Sequence, residues 1–276
     1  MTLPLLILPV AHASEALDAC MAALDACTPP GTDCWLLDDA CEDPRLPVLL
    51  AAWRERSPLE VRHLRLPRPI GRTASLAAAF EAAQGRDIVL LSDASQPCGD
   101  WLQRLSACAA SDPRIGMAQP WTNRAELTAF PRIGEDNPLP ADPERLAAAA
   151  ASAGSPEYPD LPSAGSFCLY LRGAALARLG GPDAEHFAGP GWEADLCQRW
   201  RGMGWRSVLC DDAFVPASAG PGMSAATVHA LLNRWPGHHE QVAGFLLSDP
   251  LRPLRRRLQE RLQKQAHPAG QKDLFG

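Results

Sequence analysis

The sequence predicts an α/β protein whose first half is a parallel sheet with helices on both faces. Three observations predict it. Short apolar runs alternate with amphipathic stretches along residues 1–120, the β-α-β-α order that packs into parallel sheets. Two of those runs end in polar clusters, Asp38-Asp39 and Ser92-Asp93-Ala94-Ser95, and open sheets of this kind bind ligands at the carboxyl ends of their strands. The composition, 46% hydrophobic and 21% charged over 276 residues, is that of an ordinary globular chain.

Each element follows from local pattern. Leu5-Leu6-Ile7-Leu8 reads as a buried strand ending at Pro9. Ser14 caps a helix that puts Leu17, Cys20, Met21, Leu24 and Cys27 on one face. Cys34 to Leu37 is a second strand, stopped by Asp38-Asp39. Leu46 to Trp53 reads as helix and Val61 to Leu66 as an alternating strand. Ala74 to Ala83 is helical by propensity, Asp87 to Leu91 is a strand, Trp101 to Ala110 a helix, and Ile115 to Ala118 closes the series. Residues 121–165 are proline-rich, with an alanine helix at 147–151, and such a stretch predicts a functional loop or lid. Order returns with strand Phe167 to Leu171 and helix Ala174 to Leu179, ended by Gly180-Gly181. Gly189-Pro190-Gly191 then precedes a helix from Glu193 to Met203 and the strand Ser207 to Cys210.

Charge and cysteine usage exclude several classes. The formal charge of −6 and pI near 5.6 argue against a nucleic-acid partner. The apolar run Leu3 to Val10 carries two prolines, lies far below the ~20 residues of a spanning helix, and has no basic n-region of a secretory signal. Nine cysteines form no CxxC pair, so they read as free thiols of a reducing compartment. The seven-residue spacing of Cys20, Cys27, Cys34 and Cys41 is broken by Thr28-Pro29-Pro30-Gly31 and reads as coincidence. No GxGxxG follows a strand, no GxSxG elbow is present, and the basic glycine-rich loop of nucleotidyltransferases is missing near the first strand.

From Leu5 to about Val215 the chain resembles the family-2 glycosyltransferases with a GT-A fold. The motifs that carry the resemblance come in the family's order: Leu8-Pro9-Val10, Leu37-Asp38-Asp39, Gly71 before the third helix, and Leu90 to Ser95 followed by Trp101-Leu102. Then come Phe167 to Leu176 with Gly180-Gly181-Pro182-Asp183, and Trp192 to Cys197 with Gly204-Trp205-Arg206. The resemblance implies a Rossmann-like, mixed but mainly parallel sheet sandwiched by helices. It implies a GT-A domain over 1–220, with a nucleotide-sugar half about 1–120 and an acceptor half about 121–220. Residues 221–276 are then a helical C-terminal extension and tail.

The implied activity is an inverting, hexosyltransferase-type transfer from a UDP- or dTDP-sugar to a glycan or lipid-linked acceptor, in bacterial polysaccharide biosynthesis on the cytoplasmic side. A degenerate relative that binds a nucleotide sugar or a partner without turnover is the alternative. Glu193 is the expected base, with Asp195 second to it, because a carboxylate near an acceptor hydroxyl can take its proton. The donor is expected against Pro9, Val10, His12, Asp38, Asp39, Gly71, Arg72, Ser92 and Asp93, with Asp93 the metal ligand for Mn2+ or Mg2+. Three departures thin that metal site: Ala94 stands where the family's metal aspartate aligns, Pro216 to Ala219 offer no histidine, and Leu76-Ala77 replace the family's Arg-Asn pair. Metal-dependent and metal-independent chemistry both stay open, and His238-His239 are a remote substitute.

Beyond the resemblance, Leu251, Leu254, Leu258 and Leu262 recur at helical spacing among six basic residues from Arg252 to Lys264. The segment 251–264 reads as a basic amphipathic helix. It is either docked on the domain by its leucines or set against anionic lipid at the inner face of the membrane.

Overall fold

A computed structural model describes residues 3–219 and 223–266; the tail at 267–276 lies outside the described residues. In chain order the elements are β1 (Leu5–Val10), α1 (Glu15–Cys27), β2 (Asp33–Asp38), α2 (Arg45–Arg56), β3 (Glu60–Arg65), α3 (Arg72–Ala82), β4 (Ile88–Leu91), α4 (Trp101–Ser111) and β5 (Ile115–Trp121). They continue as α5 (Pro143–Ala151), β6 (Cys168–Leu171), α6 (Gly173–Leu179), α7 (Trp192–Gly202), β7 (Arg206–Phe214), α8 (Ala225–Arg234), α9 (His238–Ser248) and α10 (Arg252–Ala266).

Seven strands form one sheet in the order β3-β2-β1-β4-β6-β5-β7. β1 pairs in parallel with β2 and β4, and β5 with β7, whereas β6 runs antiparallel to both β4 and β5. The sheet is therefore mixed and mainly parallel. From β1 the chain goes first to one side, to β2 and β3, and then to the other, to β4. That reversal opens a crevice past the carboxyl ends of β1 and β4. Helices cover both faces, and the pleat of β1 shows how the core divides. Leu6 and Leu8 pack with α1, α2 and α4 residues such as Leu17, Trp53 and Trp101. Leu5 and Ile7 pack with Phe80 of α3, Leu176 of α6 and Trp192 and Trp200 of α7.

β5 runs on past Ala118 to Trp121, and three further differences from expectation have a visible cause. β1 runs through Pro9 to Val10, because pairing to β4 stops at Leu90 opposite Ile7 and the strand has an open edge where Pro9 lacks its N–H. β7 extends to Phe214 and takes Asp211 and Asp212 into the strand. There Asp211 accepts the amides of Glu157 and Tyr158, and Asp212 accepts from Arg104. Residues 121–165 are more tightly tied down than a flap. Asn123 and Asn137, both buried, donate to one another's carbonyls, and Asn123 also bonds the Ala217 amide and carbonyl. Leu161 donates to Ser207, and Leu209 to Pro159, along β7.

The alanine helix explains the C-terminal docking. Ala147, Ala149 and Ala150 of α5 are buried with Leu251, Leu254 and Leu258, since methyl side chains let α10 come close. Each buried leucine contributes roughly 1.5–3 kcal/mol. Arg255 is buried too, paired with Asp249 at 2.7 Å, donating to the Ala129 carbonyl and lying 5.4 Å from the Trp121 ring centre. The leucine face of α10 is thus covered by this chain, leaving Arg252 and Arg256 exposed. Among the described residues no helix is long and apolar enough to cross a membrane.

Candidate active site

The site forms where α7 begins. Gly191, at φ 111°, is its N-cap and has no side chain to cap with. Glu193, in the first turn, takes that role backwards: its Oε2 accepts the Gly191 amide at 2.8 Å. Only 4% of Glu193 is exposed. Burial pushes its carboxyl above the usual range, against the opposing pull of the Glu193 and Gly191 amides, the Ser166 hydroxyl and the Arg72 guanidinium. A carboxylate so held is oriented and made more basic than in water.

Two clefts meet at this carboxylate. One, about 300 Å³, is bounded by Arg72, Thr73, Ser92, Asp93, Trp192 and Ala219. The other, about 180 Å³, is bounded by Gln119, Arg124, Glu126, Leu127, Phe167 and Met223. Ser166, Pro190 and Glu193 line both. The first lies at the sheet's carboxyl edge, past β4. Trp192 is buried and meets Phe80 edge-on at 6.1 Å, wedging α7 against α3.

The expected site residues divide into those that face the clefts and those that hold the frame. Ser92, Asp93, Arg72 and Glu193 face the first cleft together. Asp38 does not present a free oxygen there. It is fully buried, with Oδ1 accepting the Cys41 amide and Oδ2 bonded to Arg65 at 2.8 Å and His63 at 3.1 Å. Its work is to tie β2 to β3. Asp39 is half-buried and accepts the amides of Ile70 and Gly71, both at 2.8 Å, which places Gly71 (φ 95°) and the start of α3. Pro9 and Val10 are buried in β1 and His12 is exposed just beyond it. Asp195 is likewise committed elsewhere. Fully buried, it accepts from Arg199 at 2.8 Å and Trp235 at 2.9 Å and pairs with Arg234 at 3.2 Å, binding α7 to the C-terminal helices rather than facing the clefts. His238 hydrogen-bonds Gln198 at 3.0 Å and lines neither cleft.

Sequence reasoning passed over Ser166, Thr73, Arg124 and Glu126. Ser166 lies in no GxSxG elbow, and a serine that steadies a carboxylate leaves no motif. Thr73 is buried, with its hydroxyl 3.4 Å from the Gly189 carbonyl, joining α3 to the loop before α7.

A divalent cation fits these residues poorly. Asp93 is flanked by Ser92 and Ala94, the end of β7 continues as Pro216-Ala217-Ser218-Ala219, and Glu193 is already engaged by Gly191 and Ser166. Among the described residues no three His, Cys, Asp or Glu side chains come together as a ligand set.

Known structures share this overall fold. GalNAc-T7 with UDP, GalNAc and Mn2+ aligns over 94% of this chain and 54% of its own, with a TM-score of 0.64 at 14% identity. The fold is that of the GT-A glycosyltransferases. The mannosyltransferase PcManGT from Pyrobaculum calidifontis, in complex with GDP-Man and Mn2+, covers 95% of this chain and 72% of its own (TM-score 0.55, 15% identity). A fragment of S. aureus TarS in complex with UDP-GlcNAc covers 87% and 70% (TM-score 0.56, 13% identity). This chain spans about half the length of the GalNAc-T7 chain. No protein-family profile matches the chain, and no curated protein sequence matches it. At these identities the GT-A likeness is one of fold, and the chemistry rests on the residues of the site.

Proposed function

We propose that the protein is an inverting glycosyltransferase of the family-2 kind, moving a sugar from a nucleoside-diphosphate donor, UDP- or dTDP-linked, to a glycan or lipid-linked acceptor. The observation that carries this reading is the position of Glu193, a buried carboxylate with a raised pKa where two clefts meet. The donor occupies the cleft of Arg72, Ser92 and Asp93, and the acceptor the cleft of Arg124, Glu126 and Phe167. An acceptor hydroxyl entering from the second cleft gives its proton to Glu193 as its oxygen bonds the anomeric carbon. The bond from that carbon to the phosphate oxygen breaks, and its electron pair leaves on the nucleoside diphosphate. Attack from the side opposite the leaving group inverts the anomeric centre. The proteins of like fold are described with UDP, GDP-Man and UDP-GlcNAc, which supports a nucleotide-sugar donor.

The proposal places the reaction on the cytoplasmic side, with 1–220 as the transferase domain and 221–276 as its C-terminal extension. Incubating the protein with radiolabelled UDP-, dTDP- and GDP-sugars, with and without glycan acceptors, tests it. Release of nucleoside diphosphate that Glu193→Gln slows by about 10²-fold or more is the expected result. A second reading is favoured by the thin metal site: a GT-A protein that binds a nucleotide sugar without turnover. Tight donor binding with no release under any acceptor would establish it instead.

A further inference from the structure

The ligand set around Asp93 is too small for a divalent cation, yet a guanidinium stands in the same cleft without a counter-ion. Arg72 is exposed, lines the cleft with Asp93 and Glu193, and has no ion-pair partner among the described residues. Its field reaches Glu193, whose carboxyl it pulls down. The backbone that carries it is fixed from two sides. Asp39 holds the amides of Ile70 and Gly71, and Thr73 reaches the Gly189 carbonyl. Gly71 at φ 95° makes the turn into α3 in a conformation that a residue with a Cβ rarely adopts. That frame holds a side chain that no structural partner explains.

A departing nucleoside diphosphate needs positive charge already in place, because charge develops on its phosphate oxygens as the bond to the sugar breaks. A second cation beside Asp93 would be opposed by the Arg72 guanidinium in a cleft of about 300 Å³. We infer that Arg72 takes the place of the divalent metal, holding the donor diphosphate and neutralising the leaving group. This rests on the donor reading above and deepens it. The planar fork of a guanidinium suits two phosphate oxygens at once. The first-turn amides of α3, which receive no side-chain cap from Gly71, add the positive end of the helix dipole to the same charge. The guanidinium stays protonated throughout. The proton that moves is the acceptor's, to Glu193, and the electron pair of the broken bond stays on the phosphate oxygen.

Calorimetric titration of the full chain with UDP, and separately with GDP and dTDP, in EDTA and then in excess Mn2+, tests this. Binding of at least one of the nucleotides is expected, with a dissociation constant that agrees within about twofold in the two buffers. Arg72→Ala should weaken it by about tenfold or more, Arg72→Lys by less, and Arg54→Ala on the exposed face of α2 not at all. Tightening of tenfold or more by Mn2+, or an Arg72→Ala protein that binds like the wild type, overturns the assignment while leaving the donor reading intact. Failure of all three nucleotides to bind in either buffer overturns both.

Discussion

Replacing Glu193 with Gln separates two consequences of one carboxylate. Gln keeps an oxygen for the Gly191 amide but cannot take a proton, so turnover should fall by about 10²-fold or more with donor affinity nearly unchanged. The wild-type rate should rise with pH through a value above the ordinary 4.5, because burial first of all holds the carboxyl protonated longer, and the variant should lose that limb. Stability moves the other way. Between the ordinary value and the raised one, the folded chain binds more protons at Glu193 than the unfolded chain. Ionisation therefore subtracts stability as pH rises through that window. The Tm of Glu193→Gln relative to wild type should climb from pH 4 to pH 8, and a constant difference would sink the argument. Gly191 is the second residue to test. A Cβ there would sit 2.4 Å from Thr227 Cγ2, at a φ of 111°. Gly191→Ala should cost about 1–3 kcal/mol by denaturant unfolding. Adding Thr227→Ala should relieve the clash and leave the backbone strain.

At the scale of elements, the C-terminal helices are held by two contacts of different kinds. α8 is tied to α7 through buried Asp195, which faces Arg199, Arg234 and Trp235. Removing that negative charge leaves Arg199 with the Leu179 and Gly181 carbonyls only, and Arg234 with Asp183 as its remaining carboxylate. In Asp195→Asn, hydrogen exchange across 225–234 should quicken while the amides of β1 keep their protection; equal protection in variant and wild type would mean that α8 is held by its apolar contacts and the Arg234–Asp183 pair. α10 instead is held by leucines. Leu254→Ala and Leu258→Ala should each destabilise by about 2–4 kcal/mol, measured by urea unfolding of the full chain. A loss below half a kcal/mol would show that α10 contributes little to the fold.

For the whole molecule, the open question is whether the basic C-terminal segment meets a membrane. Its apolar face is covered by α5 and β7, Arg255 is buried against Asp249, and Arg257 pairs with Glu157. What faces solvent is a few arginines and Lys264, without the exposed apolar stripe that an interfacial helix inserts. The full chain should stay in the supernatant with anionic vesicles at physiological salt. Sedimentation that needs anionic lipid and vanishes on truncation before Pro250 would restore the membrane role.

Periodicity and strand-end chemistry carried the reading a long way. The alternation of buried runs with amphipathic helices determines the layered sheet, since side-chain repeat dictates which residues leave water. Ser14, Gly180 and the Gly189-Pro190-Gly191 turn mark helix ends because their backbone or side-chain chemistry is local. Glu193, Arg72, Ser92 and Asp93 were legible for the same reason: each stands at the end of a strand or the start of a helix, where side chains point into a crevice. What the chain alone could not decide is which carboxylates stay available. Asp38 and Asp39 are adjacent, yet one is consumed by His63 and Arg65 on the next strand and the other by the amides of residues 70 and 71. Asp195 lies two residues from Glu193 and is consumed by residues about forty positions away. The partners of a buried charge come from wherever the fold brings donors together, and only the tertiary structure determines that.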